Sequence, residues 1–333
     1  MTKFSKTALG MGVASIAIIV MGLGTAHARS QFAQETHSYN VRGVSLDGMI
    51  ARVRVETHDG SGPVTVRFEG GDLGLDDYVL EDHEDALFIH GRQSLSRTQC
   101  QSRNNQVRVG PRGHLRPIED YPTIVISGPN TIGLEIEDAI LFGDIGDIGA
   151  MALEISHCGD ITAGNVSDSV AIDVRGSGDL KMGNVGASAA IDIRGSGDIE
   201  MGSIGEIAVI EVRGSGDIIA GDVGQQLMIE IPGSGDMRFG AVHNARIDVR
   251  GSGDIVMDRL DGSLDVDIAG SGDVMIREGE VSPMSVEING SGDVDFRGTA
   301  RDVRVRENGS GDVSIARTEG DVSWTRHGRP VRR

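Results

Sequence analysis

The sequence predicts an all-β protein, a parallel β-solenoid (β-helix) of about nine or ten coils of ~19 residues with an N-terminal β capping region. Three observations predict it. The tetrapeptide Gly-Ser-Gly-Asp occurs eight times in full, beginning at Gly176, Gly195, Gly214, Gly233, Gly251, Gly270, Gly290 and Gly309, in steps of 19, 19, 19, 18, 19, 20 and 19 residues. Around each copy the apolar residues sit two apart, as in Ile172, Val174, Leu180 and Met182. That is the period of a strand, and Asp173, Arg175 and Lys181 between them face the other way. Finally, a unit this short cannot bury its apolar face alone, is too short for a propeller blade, and lacks both a helical stretch and the consensus of a leucine-rich repeat.

Stacking at about 4.8 Å turns each repeat position into a column. One inward ladder is expected from Ile172, Ile191, Ile210, Ile229, Ile247, Val266 and Val286. A second is expected from Leu180, Ile199, Ile218, Met237, Ile255, Val274, Val294 and Val313. The motif reads as the corner of each coil. Glycine tolerates positive φ and has no Cβ to meet the next coil, and Ser and Asp can accept hydrogen bonds from their own turn amides.

Taken in order, residues 1–28 read as a secretory signal peptide: Lys3 and Lys6, an apolar run from Ala8 to Leu23, and an Ala26-His27-Ala28 cleavage site before Arg29. An uncleaved anchor is the alternative. No later stretch is long and apolar enough to cross a membrane as a helix. Residues 29–118 are expected to form the capping region. Within it Asn40 to Gly91 keeps strand patterns without the repeat and reads as irregular β structure over the first coil. Residues 92–117 hold Arg92, Arg97, Arg103, Arg108, Arg112 and Arg116 with no Asp or Glu, and read either as a mobile basic loop or as a contact for an anionic partner. The solenoid is assigned to residues 119–316, with His157-Cys158-Gly159-Asp160 as a degenerate corner aligned at Asp160. Glu307 takes an inward position, so the pattern fails in the last unit, and residues 317–333 read as a frayed basic tail.

The formal charge of -19 argues against nucleic acid or an anionic membrane as partner of the whole surface. The motif aspartates, Asp179, Asp198, Asp217, Asp236, Asp254, Asp273, Asp293 and Asp312, should form one column. Neighbours about 5 Å apart repel by roughly 0.8 kcal/mol even in water. Compensation is expected from turn amides, from the partial column Arg175, Arg194, Arg213 and Arg250, or from a bound cation. The spacing differs from the nine-residue calcium-binding repeat. Eight equivalent carboxylates do not offer the two distinct environments that glycoside cleavage requires. No nucleophile, base and orienter set can be read out. The sequence therefore assigns no catalytic residue, no cofactor and no metal ligand, and the chain is expected not to be an enzyme; a calcium-binding repeat protein and a polysaccharide-active β-helix enzyme are the alternatives. Cys100 and Cys158 can form one disulfide in an oxidising compartment or remain thiols.

The exported start, the segment Gly48-Met49-Ile50-Ala51-Arg52-Val53-Arg54-Val55, and the Gly-Asp-Ile and Gly-Ser-Gly-Asp coils resemble the bacterial head GIN domain family of proposed auto-transporter adhesins, over roughly Val41 to Ile315. The resemblance implies a β-solenoid outside the cytoplasm with an adhesive or structural role. It supplies no catalytic residues. Envelope polymer, glycolipid or protein are the partners it leaves open. With no room before Arg333 for a membrane barrel, the periplasm is the expected location, with the cell surface or secretion as alternatives.

Overall fold

The computed structural model describes residues 36–71, 78–83, 85–92, 95–103 and 106–331. The signal peptide expected over residues 1–28 lies outside them. The chain is a parallel β-solenoid of about ten turns, nearly all β. It divides into two compact units: one runs to Ile172 and adds Ser177–Met182, and the other takes Asp173–Gly176 and the chain from Gly183 on.

In the second unit the repeat builds the columns that its period predicts. Ile191, Ile210, Ile229, Ile247, Val266 and Val286 are register partners in successive coils, and Val305 and Trp324 continue the column. Ile199, Ile218, Met237, Ile255, Val274, Val294 and Val313 form the other. All are buried. Adjacent coils are also tied at the corner, where the Ser215 amide donates to the Gly195 carbonyl at 3.0 Å and the Ser234 amide to the Gly214 carbonyl at 2.9 Å.

The motif glycines serve one of the two purposes expected of them. None lies at positive φ. Instead, a Cβ on Gly214 would fall far inside contact with the Gly195 carbonyl oxygen, and one on Gly216 would do the same to Gly197. Coils approach here backbone to backbone, so the corner requires the missing side chain and not the left-handed conformation.

The C-terminal segment expected to fray is ordered as strand. Val313–Arg326 runs parallel along Val294–Glu307, and Arg329–Pro330 turns back on its end. Glu307, which stands where other coils place Val or Ile, keeps the inward direction and is 1% exposed. Its carboxylate accepts from the Val313 amide at 3.0 Å and from Arg326 Nε at 2.6 Å. Burial alone would raise the Glu307 carboxyl. Hydrogen bonds from Arg326, the Trp324 indole and the Val313 amide, with the Arg326 charge, overcome it and hold the group below the usual carboxylate range.

In the first unit, chain order and stacking order differ. Gly43–Asp47 lies between Ala86–Gly91 and Gly133–Glu137, parallel to both. Ile50–His58 lies between Thr123–Pro129 and Ile140–Ile145, again parallel to both. The region that reads as irregular from the sequence thus contributes a regular coil. Its remaining strands do the capping: Val64–Glu69 pairs antiparallel with Thr123–Pro129 and with His37–Tyr39, while Tyr78–His83 forms a hairpin with Ala86–Gly91. Asp160 is the register partner of Asp179, as the alignment of the degenerate corner requires.

Two outcomes follow from these contacts. Gly216→Ala should lower stability by roughly 3 kcal/mol, because a backbone carbonyl cannot move aside, whereas Ser215→Ala on the exposed side of the same corner should stay within about 0.5 kcal/mol. Denaturant melts of the two variants measure this. Glu307→Gln should cost about 2 kcal/mol at neutral pH. Because the folded carboxyl lies below its unfolded value, its contribution is full above about pH 4.5 and disappears as pH falls through the folded value. Wild type and variant melting curves should therefore converge in acid.

Candidate functional site

Three surface arrangements carry chemistry. The first is the motif aspartate column of the second unit. Its carboxylates do not accept from their own turns, as local reasoning expects, but from the following coil. Asp198 Oδ1 accepts the Asp217 amide at 2.8 Å, and Asp217, Asp236, Asp254, Asp273 and Asp293 repeat the bond at 2.8–2.9 Å, ending on the Asp312 amide. After the corner each backbone N–H points along the stacking direction, and Asp has the length to meet it from one coil below. Asp312 is last and takes the guanidinium of Arg326 instead. The other corner uses the same device with mixed residues: Asn184 accepts the Ser203 amide at 2.8 Å, Ser203 the Asp222 amide at 3.1 Å, and Asp222 the Ala241 amide at 2.7 Å.

The arginine column compensates a different set of acids. Arg175 pairs with Asp173 at 2.8 Å, Arg194 with Asp192 at 2.5 Å, Arg213 with Asp192 at 2.9 Å and with Glu211, and Arg250 with Glu230 and with Asp248 at 2.5 Å. These acids alternate with the inward ladder, so they and the arginines two residues on share the outer face. In the next coil Ala269 stands where Arg250 stands before it. Asp267 there is pushed up, first by desolvation and then by the charges of Asp248, Glu287 and Asp265. Among the described residues no group of three or more His, Cys, Asp or Glu is arranged to hold a metal ion.

The second arrangement corrects the reading of residues 92–117 as a mobile loop. Thr98–Arg103, Gln106–Pro111 and Arg116–Pro117 form a three-stranded antiparallel sheet. Cys100 lies opposite Val109. That side packs into a cluster of Leu95, Val109, Ile118 and Tyr121 with Ile50 and Ile140 of the coils. The Tyr121 hydroxyl donates to the Val109 carbonyl at 3.2 Å, and Cys100 is bridged to Cys158 with 6.2 Å between Cα atoms. Strand alternation turns Gln99, Gln101, Gln106 and Arg108 to the opposite side, and all four are exposed. Arg92, Arg97, Arg112 and Arg116 are exposed as well, and among the described residues none of them meets a carboxylate.

The third arrangement was missed by sequence reasoning. Phe88 lies with its ring 5.7 Å from His83, edge-on, and 5.8 Å from His90, stacked. His90 Nδ1 is 3.3 Å from Asp47 Oδ2. Phe88 and Ser45 are register partners, as are Ser45 and Glu135, whose carboxyl is raised by burial and by the charges of Glu137 and Asp47. The alternation of Leu87, Phe88, Ile89 and His90 turns Phe88 and His90 outward. Their neighbours could not be known, because they come from strands stacked out of chain order.

The family model described as "Putative auto-transporter adhesin, head GIN domain" matches residues 150–259 and 258–321. The chain belongs to this family. No curated protein matches it. Among solved structures, that of a protein described as "Putative lipid binding protein" from Parabacteroides distasonis ATCC 8503 aligns over 87% of this chain and 96% of its own, at 15% identity and a TM-score of 0.28. A score that low carries no argument. The head GIN assignment names an adhesin-like domain and no catalytic residue.

The gap in the arginine column is testable. A folded carboxyl raised above its unfolded value favours the protonated state, so the stability it lends is present below about pH 3.8 and is lost as pH rises through the folded value. Asp267→Asn should therefore raise stability at neutral pH by about 0.5 kcal/mol, a gain held down by solvent screening. The gain should shrink in acid. Ala269→Arg should reproduce it, and melts from pH 3 to pH 8 read both.

Proposed function

We propose that the protein is an exported, non-enzymatic binding module of the bacterial envelope, adhesin-like or structural, working in the periplasm. The observation that carries this reading is the contrast between its two kinds of arginine. Along the coils arginines such as Arg194, Arg213 and Arg250 are held in ion pairs. In and beside the inserted sheet Arg97, Arg112 and Arg116 are exposed without carboxylate partners, in a chain of formal charge -19. The solenoid holds the sheet, and the sheet makes the contact.

Membership of an adhesin-like family supports a binding role. The Cys100–Cys158 bridge supports an oxidising compartment, and hence the leader read over residues 1–28. The equivalence of the motif aspartates, each engaged by the next coil, supports a structural column over a catalytic or calcium-binding one.

Co-sedimentation with isolated envelope fragments tests the proposal. The mature protein should pellet with them, and the triple variant Arg97→Glu, Arg112→Glu, Arg116→Glu should remain in the supernatant with an unchanged melting temperature. Equal pelleting of both would place the contact elsewhere on the molecule.

A further inference from the structure

The outer side of the inserted sheet combines two recognition chemistries that point to one class of partner. Resting on the reading of the protein as a binding module, we propose that this face binds an acidic polysaccharide. The guanidinium of Arg108 on that side, with those of Arg97 and Arg112 exposed in the turns that flank the strands, would take the carboxylates or phosphates spaced along the polymer, and the amides of Gln99, Gln101 and Gln106 would take the hydroxyls between them. Guanidinium offers a planar fork of donors that fits an anionic group. A carboxamide offers a donor and an acceptor at once, which is what a sugar hydroxyl presents in return.

The geometry supports this assignment in three ways. Gln101 is the register partner of Arg108, and Gln99 lies two residues before Gln101 on the same side, so amides and a guanidinium share one side of the sheet. The surface is rigid: the disulfide fixes the sheet from beneath, and Arg108 Nη2 donates to the Leu115 carbonyl at 2.9 Å, closing the turn that carries Arg112. A face already ordered before binding spends less on ordering when the partner arrives. Finally, the stretch from Arg92 to Pro117 contains no Asp or Glu, the nearest acids in the chain after it being Glu119 and Asp120.

Other anionic partners fit less well. Insertion into a membrane surface calls for apolar or aromatic side chains beside the basic ones. The exposed large hydrophobic residues among those described are Ile219 and Val322, neither of which is on this sheet. Single-stranded nucleic acid calls for aromatic platforms, and the strands of the sheet carry no aromatic residue on this side among those described. A second copy of the chain would offer acids along its coils, but Asp173, Asp192 and Glu230 there already have arginine partners.

The test uses the mature protein, with fluorescently labelled polygalacturonate as the acidic polysaccharide. Dextran, oligothymidylate of equal charge, and phosphatidylglycerol vesicles are the comparisons. Polygalacturonate should bind, dextran should not, and affinity should fall steeply with added salt. Replacing Gln99 and Gln101 with Ala keeps every charge. It should weaken polygalacturonate binding by roughly 3- to 10-fold while leaving oligothymidylate unchanged. Arg97→Ser with Arg112→Ser should weaken binding of both by more than about 10-fold. Melting temperatures of both variants establish that the sheet remains folded. Binding of oligothymidylate or vesicles as tight as that of polygalacturonate would overturn the proposal, as would indifference to the glutamine substitutions. If envelope fragments pellet the protein but polygalacturonate does not bind, the binding-module reading stands and this inference falls. If neither binds, both fall.

Discussion

A carboxylate in one coil accepts the backbone N–H of its counterpart in the next, and the second unit depends on that bond. It converts the corner, a part of each coil that lies between strands, into a hydrogen-bonded column. The bond needs the coils at backbone contact distance, which is why the residues flanking the motif Ser are glycines. It also lets a row of like charges persist: each carboxylate is exposed to solvent on one side and bound to an N–H dipole on the other. With the corners fixed, the residues on either side are brought into register, and the Ile, Val and Met columns close over one another as the core.

A stack held by bonds to the next coil has a problem at its last coil, and the C-terminal segment answers it. Asp312 has no aspartate amide above it and receives Arg326 instead. The same arginine is the register partner of Glu307 and reaches its carboxylate. One guanidinium therefore ends both the outer column and an inner one. The first unit ends differently. There antiparallel strands lie against parallel ones, and an antiparallel hairpin does not offer a further coil the pattern of backbone groups it would need.

Much of the fold was legible because a fixed period makes equivalent positions neighbours. Once Ile191 and Ile210 are equivalent, so are all their counterparts, and the register bears this out. What was not legible depends on partners that the period does not specify. The aspartates were assigned to their own turns because sequence proximity is the only proximity a sequence displays. The stacking of Gly43–Asp47 between strands much later in the chain has no periodic signature at all. The basic segment was a nearer miss. Gln106-Val107-Arg108-Val109 alternates as a strand does, but six arginines and a cysteine whose pairing was open obscured it. The outward pair Phe88 and His90 was readable as a direction; its surroundings were not.

The charge arrangement joins fold to function. Ion pairs along the coils neutralise part of a strongly acidic surface in place, and in the proposed reading the exposed arginines of the inserted segment are what meets a partner. That reasoning rests on the coil-to-coil bonds holding the stack in register. Amide hydrogen exchange of the motif residues tests them most directly. At neutral pH the amides of Asp217, Asp236, Asp254, Asp273 and Asp293 should be protected as well as those of Ser215 and Ser234, which donate to carbonyls. In Asp236→Ala the Asp254 amide, which loses its acceptor, should lose protection selectively, while the Ser234 amide keeps its own. Aspartate amides that exchange freely, or an Asp254 amide that loses nothing in that variant, would contradict the account.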